Sequence, residues 1–220
     1  MKKLLAVLLS LFLMAPAFAD ETPTAPPAEP ITVTPEPLVN NEPADILKLD
    51  YEVGDGLARY VENKMEQAKK LKVTHIQVVI DSPGGGVIAG LHIMRLIVES
   101  GIPTTCTVPD GGFAASMAFY LFESAACGER VIGETGVLMG HTVAGGGNDG
   151  RQPSVAAQLA ALKAFDKVIA LTVAKRSGMT VEDYMKLVYG TELWVVGADA
   201  LKYGTHGLAD RVLPSAEPSK

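Results

Sequence analysis

The run Ile76-Gln77-Val78-Val79-Ile80 stops at Asp81-Ser82-Pro83-Gly84-Gly85-Gly86, and helical spacing begins at Val87. A short, nearly continuous apolar run rich in β-branched residues suits a strand buried on both faces, as in a parallel sheet. The glycines permit a tight corner between strand and helix. The same texture recurs along the chain. Leu57, Val61, Met65 and Ala68 lie on one face of a helix predicted over 55–71. A helix over 87–99 is ended by Gly101 and Pro103, and a strand follows over 104–108. Asp110-Gly111-Gly112 then turns the chain toward a helix starting near Ser116. Short strands are expected over 130–132 and 137–139, and a long helix over 154–176. Thr180, with Asp183 three residues on, caps a further helix to about Tyr189, and a last short helix over 198–203 ends at Gly204. Such alternation implies an α/β fold with parallel strands.

The N-terminus reads differently. Lys2 and Lys3 precede an apolar run from Leu4 to Met14, then Pro16 and Ala17-Phe18-Ala19. This is the plan of a secretory signal peptide over 1–19, cut after Ala19. The run is short for a bilayer span, which needs about 20 residues, so no lasting membrane anchor is expected. No cysteine stands at the cut, so lipid anchoring is not expected either. Residues 20–44 carry seven prolines between Pro23 and Pro43, a density that leaves no apolar period and suits an extended tail. One domain is expected over 45–213, with a short tail over 214–220. The expected location is outside the cytoplasm, periplasmic or secreted.

Charge narrows the partners. The 19 basic residues fall to 17 when Lys2 and Lys3 are removed, against 25 acidic ones, a formal charge of −8. That argues against nucleic acid or an anionic membrane surface. Cys106 and Cys127 are the only cysteines. Export permits their oxidation, but the expectation from residue type is two buried free thiols. No Cys/His cluster has metal-ligand spacing, and no metal or organic cofactor is expected.

Three segments carry chemistry. The corner Gly84-Gly85-Gly86 presents backbone N–H groups that can hold an anion or a developing oxyanion, or can simply turn the chain. Gly112-Phe113-Ala114-Ala115-Ser116-Met117-Ala118 crowds small residues around one serine where a strand gives way to a helix. Such a serine is either a helix cap or, with a base at hand, a nucleophile. Val137-Leu138-Met139-Gly140-His141 ends a strand before the glycine-rich loop at 145–147. The other histidines are His75 at a strand start, His92 within a helix and His206 in the C-terminal stretch, so His141 is the best candidate base.

In this order the segments resemble the ClpP peptidase family, within the broader ClpP/crotonase fold. Ser82-Pro83-Gly84-Gly85-Gly86 is similar to its oxyanion loop, Phe113-Ala114-Ala115-Ser116-Met117 to its nucleophile turn, and Val137-Leu138-Met139-Gly140-His141 to its strand ending in the catalytic histidine. The likeness implies repeated β-β-α units, a parallel sheet flanked by helices, and a protruding handle helix over 154–176. It implies Ser116 as nucleophile, His141 as general base, and the N–H groups of Gly85 and Met117 as oxyanion hole. An extended peptide would pair with strand edges beside Gly84 and Gly86. The family's third triad member is an Asp before an aromatic-containing strand. Counting back from Tyr203-Gly204 puts Glu192 there, with Asp183 as fallback.

The departures also matter. Intracellular ClpP peptidases form stacked seven-membered rings fed by an ATP-driven unfoldase. Here a signal peptide and a Pro-rich tail replace the N-terminal gate, so an ATPase partner is not expected. Val155, Leu159, Leu162, Val168, Leu171 and Val173 give the long helix an apolar face for a homo-oligomer. Trp194 is expected in the core. The expected function is a serine endopeptidase acting on unfolded polypeptides or short peptides without ATP. Three alternatives stand beside it. One is a Ser–Lys signal-peptide-peptidase-like protease using a lysine such as Lys163. Another is a crotonase-type enzyme acting on an acyl-CoA thioester, and the last is a non-catalytic module for binding or assembly.

Overall fold

The structure is a computed structural model that describes residues 44–145 and 154–213. The predicted signal peptide, most of the Pro-rich tail, part of the glycine-rich loop and the C-terminal tail lie outside the described residues. Among the described residues eight strands and five α-helices follow in the order β1 (Ile46–Leu49), α1 (Asp55–Lys70), β2 (Ile76–Ile80), α2 (Val87–Ser100), β3 (Thr104–Val108), β4 (Phe113–Ala115), α3 (Met117–Phe122), β5 (Glu129–Ile132), β6 (Val137–Gly140), α4 (Val155–Ser177), α5 (Val181–Val188), β7 (Leu193–Val196) and β8 (Arg211–Val212). The expected short helix before Gly204 is a 3₁₀ helix, Gly197–Lys202.

Two sheets form. The larger runs β1-β2-β3-β5-β8 and is parallel throughout. Its central strands are the β-branched runs of the sequence, and Ile76, Val78, Ile80, Cys106 and Val108 are fully buried. The smaller sheet, β4-β6-β7, pairs β4 with β6 in parallel and β6 with β7 antiparallel. The parallel α/β expectation therefore holds for the main sheet, while β7 departs from it. A bridge between Ser82 and Ala114 joins the end of β2 to β4 and so ties the two sheets together.

Helices α1 and α2 bury one stripe each, with Leu57, Val61, Met65 and Ala68 from α1 at the positions the 3.6-residue period requires. Helix α4 divides along its length. Ile169, Ala170, Val173 and Ala174 are buried in the chain's own core, whereas Val155, Leu159, Val168 and Leu171 are exposed. Val173 therefore leaves the proposed oligomer face. Trp194 is 58% exposed rather than core. It sits on the outward side of β7, whose inward positions are Leu193 and Val195. Among the described residues no helix is long and apolar enough to cross a membrane.

The cysteines correct another expectation. Cys106 and Cys127 form a disulfide, and no described cysteine is free. Cys106 lies on β3 and Cys127 just before the neighbouring strand β5, which brings their Cα atoms to 5.3 Å. Residue type alone could not show that the β3–β5 pairing brings the segment just before β5 within reach of Cys106. The bridge closes a loop of 21 residues. By loop-closure entropy such a bridge contributes about 3 kcal/mol. Urea titration with and without reductant should show a loss of that size.

Candidate active site

The site lies where β2, β4 and β6 end, the side of an open α/β sheet on which ligands usually bind. Ser82 anchors the first wall. Its side chain is fully buried, donates to the Tyr51 carbonyl at 2.6 Å and accepts from the Gly84 N–H at 3.2 Å. Its backbone exchanges bonds with β4, from Ser82 N to Phe113 O and from Ala115 N to Ser82 O. The glycine corner then passes directly beside the serine turn. Gly84 has φ +89°, and a Cβ there would stand 2.7 Å from both the Met117 nitrogen and the Ser116 Cβ. Only glycine meets both the backbone and the space requirement at that point.

Ser116 joins β4 to α3 in a strained conformation, φ 52° and ψ −122°, which is rare for a residue with a side chain. The strain is held from both sides. Ser116 N–H donates to Met139 O at 2.8 Å, extending the β4–β6 ladder, and Met117 is buried against Gly90 of α2. A sharp strand-to-helix turn of this kind lifts a serine hydroxyl out of the sheet. The hydroxyl meets His141, with Ser116 Oγ to His141 Nε2 at 2.8 Å. The N–H groups of Gly85 and Met117 have no acceptor among the described residues. They flank the same cleft, walled by Val87, Val143, Ala144 and Ile169. Two amides left open beside a nucleophile are what an oxyanion requires.

The tautomer of His141 follows from its other nitrogen. Nδ1 lies 2.5 Å from the Thr142 carbonyl oxygen. A carbonyl can only accept, so Nδ1 carries the proton and Nε2 offers its lone pair to the Ser116 hydroxyl. Tyr120 grips the backbone of the same residue. Its O–H donates to His141 O and its oxygen accepts from His141 N–H at 3.1 Å. Tyr184 in turn donates to the Tyr120 oxygen at 3.2 Å. Burial pushes both phenols above their ordinary range, so they stay neutral donors. Asp166 of α4 holds the next segment, accepting from Val143 N–H at 2.6 Å.

Neither acid candidate hydrogen-bonds the imidazole. The β6–β7 register ends with Gly140 opposite Leu193, which leaves Glu192 one step past the last rung, beside the strand end that carries His141. Its exposed carboxylate accepts from Trp194 Nε1 at 3.0 Å and does not bond the imidazole. Asp183 is also excluded. Its carboxylate accepts from the hydroxyl of Thr180, the N-cap of α5, and pairs with Lys186, and those bonds hold its carboxyl below the usual range. Among the described residues no carboxylate hydrogen-bonds His141. Lys163, the base of the Ser–Lys alternative, makes no bond to Ser116, whose hydroxyl is paired with the imidazole. Tyr120 and Asp166 were not singled out from the sequence. Only the fold brings α3 and α4 against the end of β6.

A strained serine, an imidazole in the accepting tautomer and two open amides form an arrangement suited to acyl transfer. The comparisons with known proteins point the same way. The profile described as Clp protease matches residues 42–216. The chain is 30% identical over 175 residues to the ATP-dependent Clp protease proteolytic subunit 3 of Synechococcus sp. strain CC9902, covering 76% of this chain and 82% of that one. It is 29% identical over 171 residues to proteolytic subunit 2 of Prochlorococcus marinus strain MIT 9313, with the same coverage. It is 31% identical over 147 residues to proteolytic subunit 1 of Streptomyces avermitilis, covering 66% and 63%. Sheet, cleft and sequence agree, and the chain belongs to the Clp protease family.

Proposed function

We propose that the chain is a serine endopeptidase in which Ser116 attacks the peptide carbonyl and His141 takes its proton, then returns it to the leaving amine. The observation that carries this reading is the 2.8 Å approach of Ser116 Oγ to an Nε2 free to accept. Gly85 and Met117 N–H groups stabilise the tetrahedral oxyanion. Gly84 and Gly86 flank the path of an extended substrate. The cleft walls Val87, Val143 and Ile169 suit an apolar side chain next to the scissile bond. The substrates are unfolded polypeptides or short peptides, whose backbone is free to lie along the strand ends.

The reading includes export. The charged start, apolar run and Ala17-Phe18-Ala19 support a cleaved signal peptide. The Cys106–Cys127 disulfide supports an oxidising compartment. Outside the cytoplasm free ATP is not expected, so hydrolysis proceeds without a coupled ATPase, unlike the relatives whose names call them ATP-dependent. The exposed Val155, Leu159 and Leu171 of α4 support a homo-oligomer. Incubation of the oxidised protein with a reduced, unfolded substrate and no nucleotide should yield new peptide fragments by mass spectrometry. The Ser116→Ala protein should yield none, and equal fragments from both would reject the assignment.

A further inference from the structure

The smaller sheet carries a second apolar surface, outside the catalytic cleft. Along β6 the outward positions are Val137 and Met139, and the same alternation makes His141 the next residue on that side. The register sets Phe113 and Val196 beside Val137 in one row, and Trp194 beside Met139 in the next. Phe113, Trp194 and Val196 are exposed, and Val137 and Met139 are half-buried. Ser116 N–H donates to Met139 O, so the second row stands directly beside the nucleophile. The cleft at Ser116 is walled by other residues, among them Val87, Val143 and Ile169. We infer that this sheet face is a second substrate contact, which holds apolar side chains of an unfolded polypeptide at a distance from the scissile bond. This rests on the reading of Ser116 and His141 as nucleophile and base.

Size and position favour a substrate over a second copy of the chain. Three short strands about 4.8 Å apart, each about four residues long, give a face of roughly 10 by 14 Å. Such a face receives a few side chains, whereas a stable dimer covers about 800 Å² on each partner. A second copy seated there would also crowd the end of β6, where the cleft must admit a chain. The exposed Val155, Leu159 and Leu171 of α4 offer self-association a separate surface. Trp194 is ready to be covered, because its indole N–H already donates to Glu192 at 3.0 Å. Apolar side chains can bury the ring without stranding a polar atom. Two residues along a strand span about 6.8 Å, so the two rows lie about 7 and about 14 Å from the position of His141. An extended peptide crosses that distance in about two to four residues. The contact therefore selects chains with apolar residues at that remove from the cut bond.

Trp194 is the only tryptophan of the chain, so its emission reports the state of this face directly. The test titrates the full, oxidised Ser116→Ala protein with a tryptophan-free peptide rich in leucine and phenylalanine, and with a matched peptide in which serine replaces them. The apolar peptide should shift the emission to shorter wavelength in a saturable way, and the serine peptide should leave it in place. In the active protein, Trp194→Ser and Phe113→Ser should each raise KM for the apolar peptide about 10-fold with kcat retained. Leu71→Ser, an exposed change at the end of α1, should leave KM where it was. The emission arm leaves the face itself unaltered, so it decides even if a face variant fails to fold. Unchanged emission with an apolar peptide that the wild type cleaves would overturn the inference and leave the catalytic assignment standing. Emission already at short wavelength without peptide, and moving to longer wavelength on dilution, would overturn it in favour of a second copy on the face. A saturable shift in a protein whose wild type cleaves nothing would support the contact and reject the catalytic pair.

Discussion

Changing His141 to Ala lowers peptide hydrolysis by about 10⁴-fold or more and leaves the fold in place. The magnitude follows from what remains. Without the imidazole, the Ser116 hydroxyl has no base among the described residues, since Nε2 of His141 is its only hydrogen-bond partner there. The open amides of Gly85 and Met117 survive, so a small residual rate over water is expected from the oxyanion hole. The ring is only partly buried and among the described residues hydrogen-bonds only Ser116 and its neighbour's carbonyl, so little stability depends on it. Steady-state kinetics on a fluorogenic peptide should show the loss in kcat, with a nearly unchanged urea midpoint. A variant that keeps wild-type kcat would show that another group activates Ser116.

Replacing Arg130 with Met destabilises the domain by about 3–5 kcal/mol, the cost of leaving the Glu123 carboxyl and the Asp210 carboxylate without their hydrogen-bond donor. Arg130 is fully buried. It bonds Glu123 Oε2 at 2.7 Å, Asp210 Oδ1 at 2.8 Å and the His206 carbonyl at 3.3 Å. Asp210 also accepts from the Arg130 backbone N–H at 2.7 Å. One guanidinium therefore joins the end of α3, β5 and the C-terminal segment that leads into β8. Glu123 is the vulnerable partner, because its Oε1 is buried with nothing to bond. Burial outweighs Arg130 and pushes its carboxyl up to about 8 from an ordinary 4.5. A raised carboxyl means that the folded state holds the proton more tightly. The stability it contributes is complete below about pH 4.5 and is lost as pH rises toward about 8. Glu123→Gln should therefore gain stability on wild type between pH 5 and pH 8. Urea titrations at the two pH values check both the Arg130 loss and this slope.

Much of the fold is legible in the sequence because its central strands and longer helices carry strong periods. β2 and β3 are runs of β-branched residues, and α1 shows its buried stripe at helical spacing. The strands β1, β4 and β8 have four, three and two residues, too few to establish a period. They exist because a neighbouring strand supplies their hydrogen bonds. The Cys106–Cys127 bridge was not readable for a related reason, since it depends on which strands are neighbours. At the site, Ser116, His141 and the glycine corner could be read because small residues and breaks in the pattern mark them. Glu192 was placed beside the correct strand end, but register does not determine which way an exposed carboxylate turns. Here the Trp194 indole N–H takes it. Tyr120 is one apolar-looking position in a helix of six buried residues, and nothing local marks its hydroxyl as a clamp.

The most direct measurement is to label the oxidised full-length protein with a fluorophosphonate and locate the adduct by mass spectrometry of its peptides. One stoichiometric adduct on Ser116 is expected, formed far more slowly when His141 is Ala. An adduct on any other residue, or labelling of Ser116 that proceeds at the same rate without the imidazole, would contradict it.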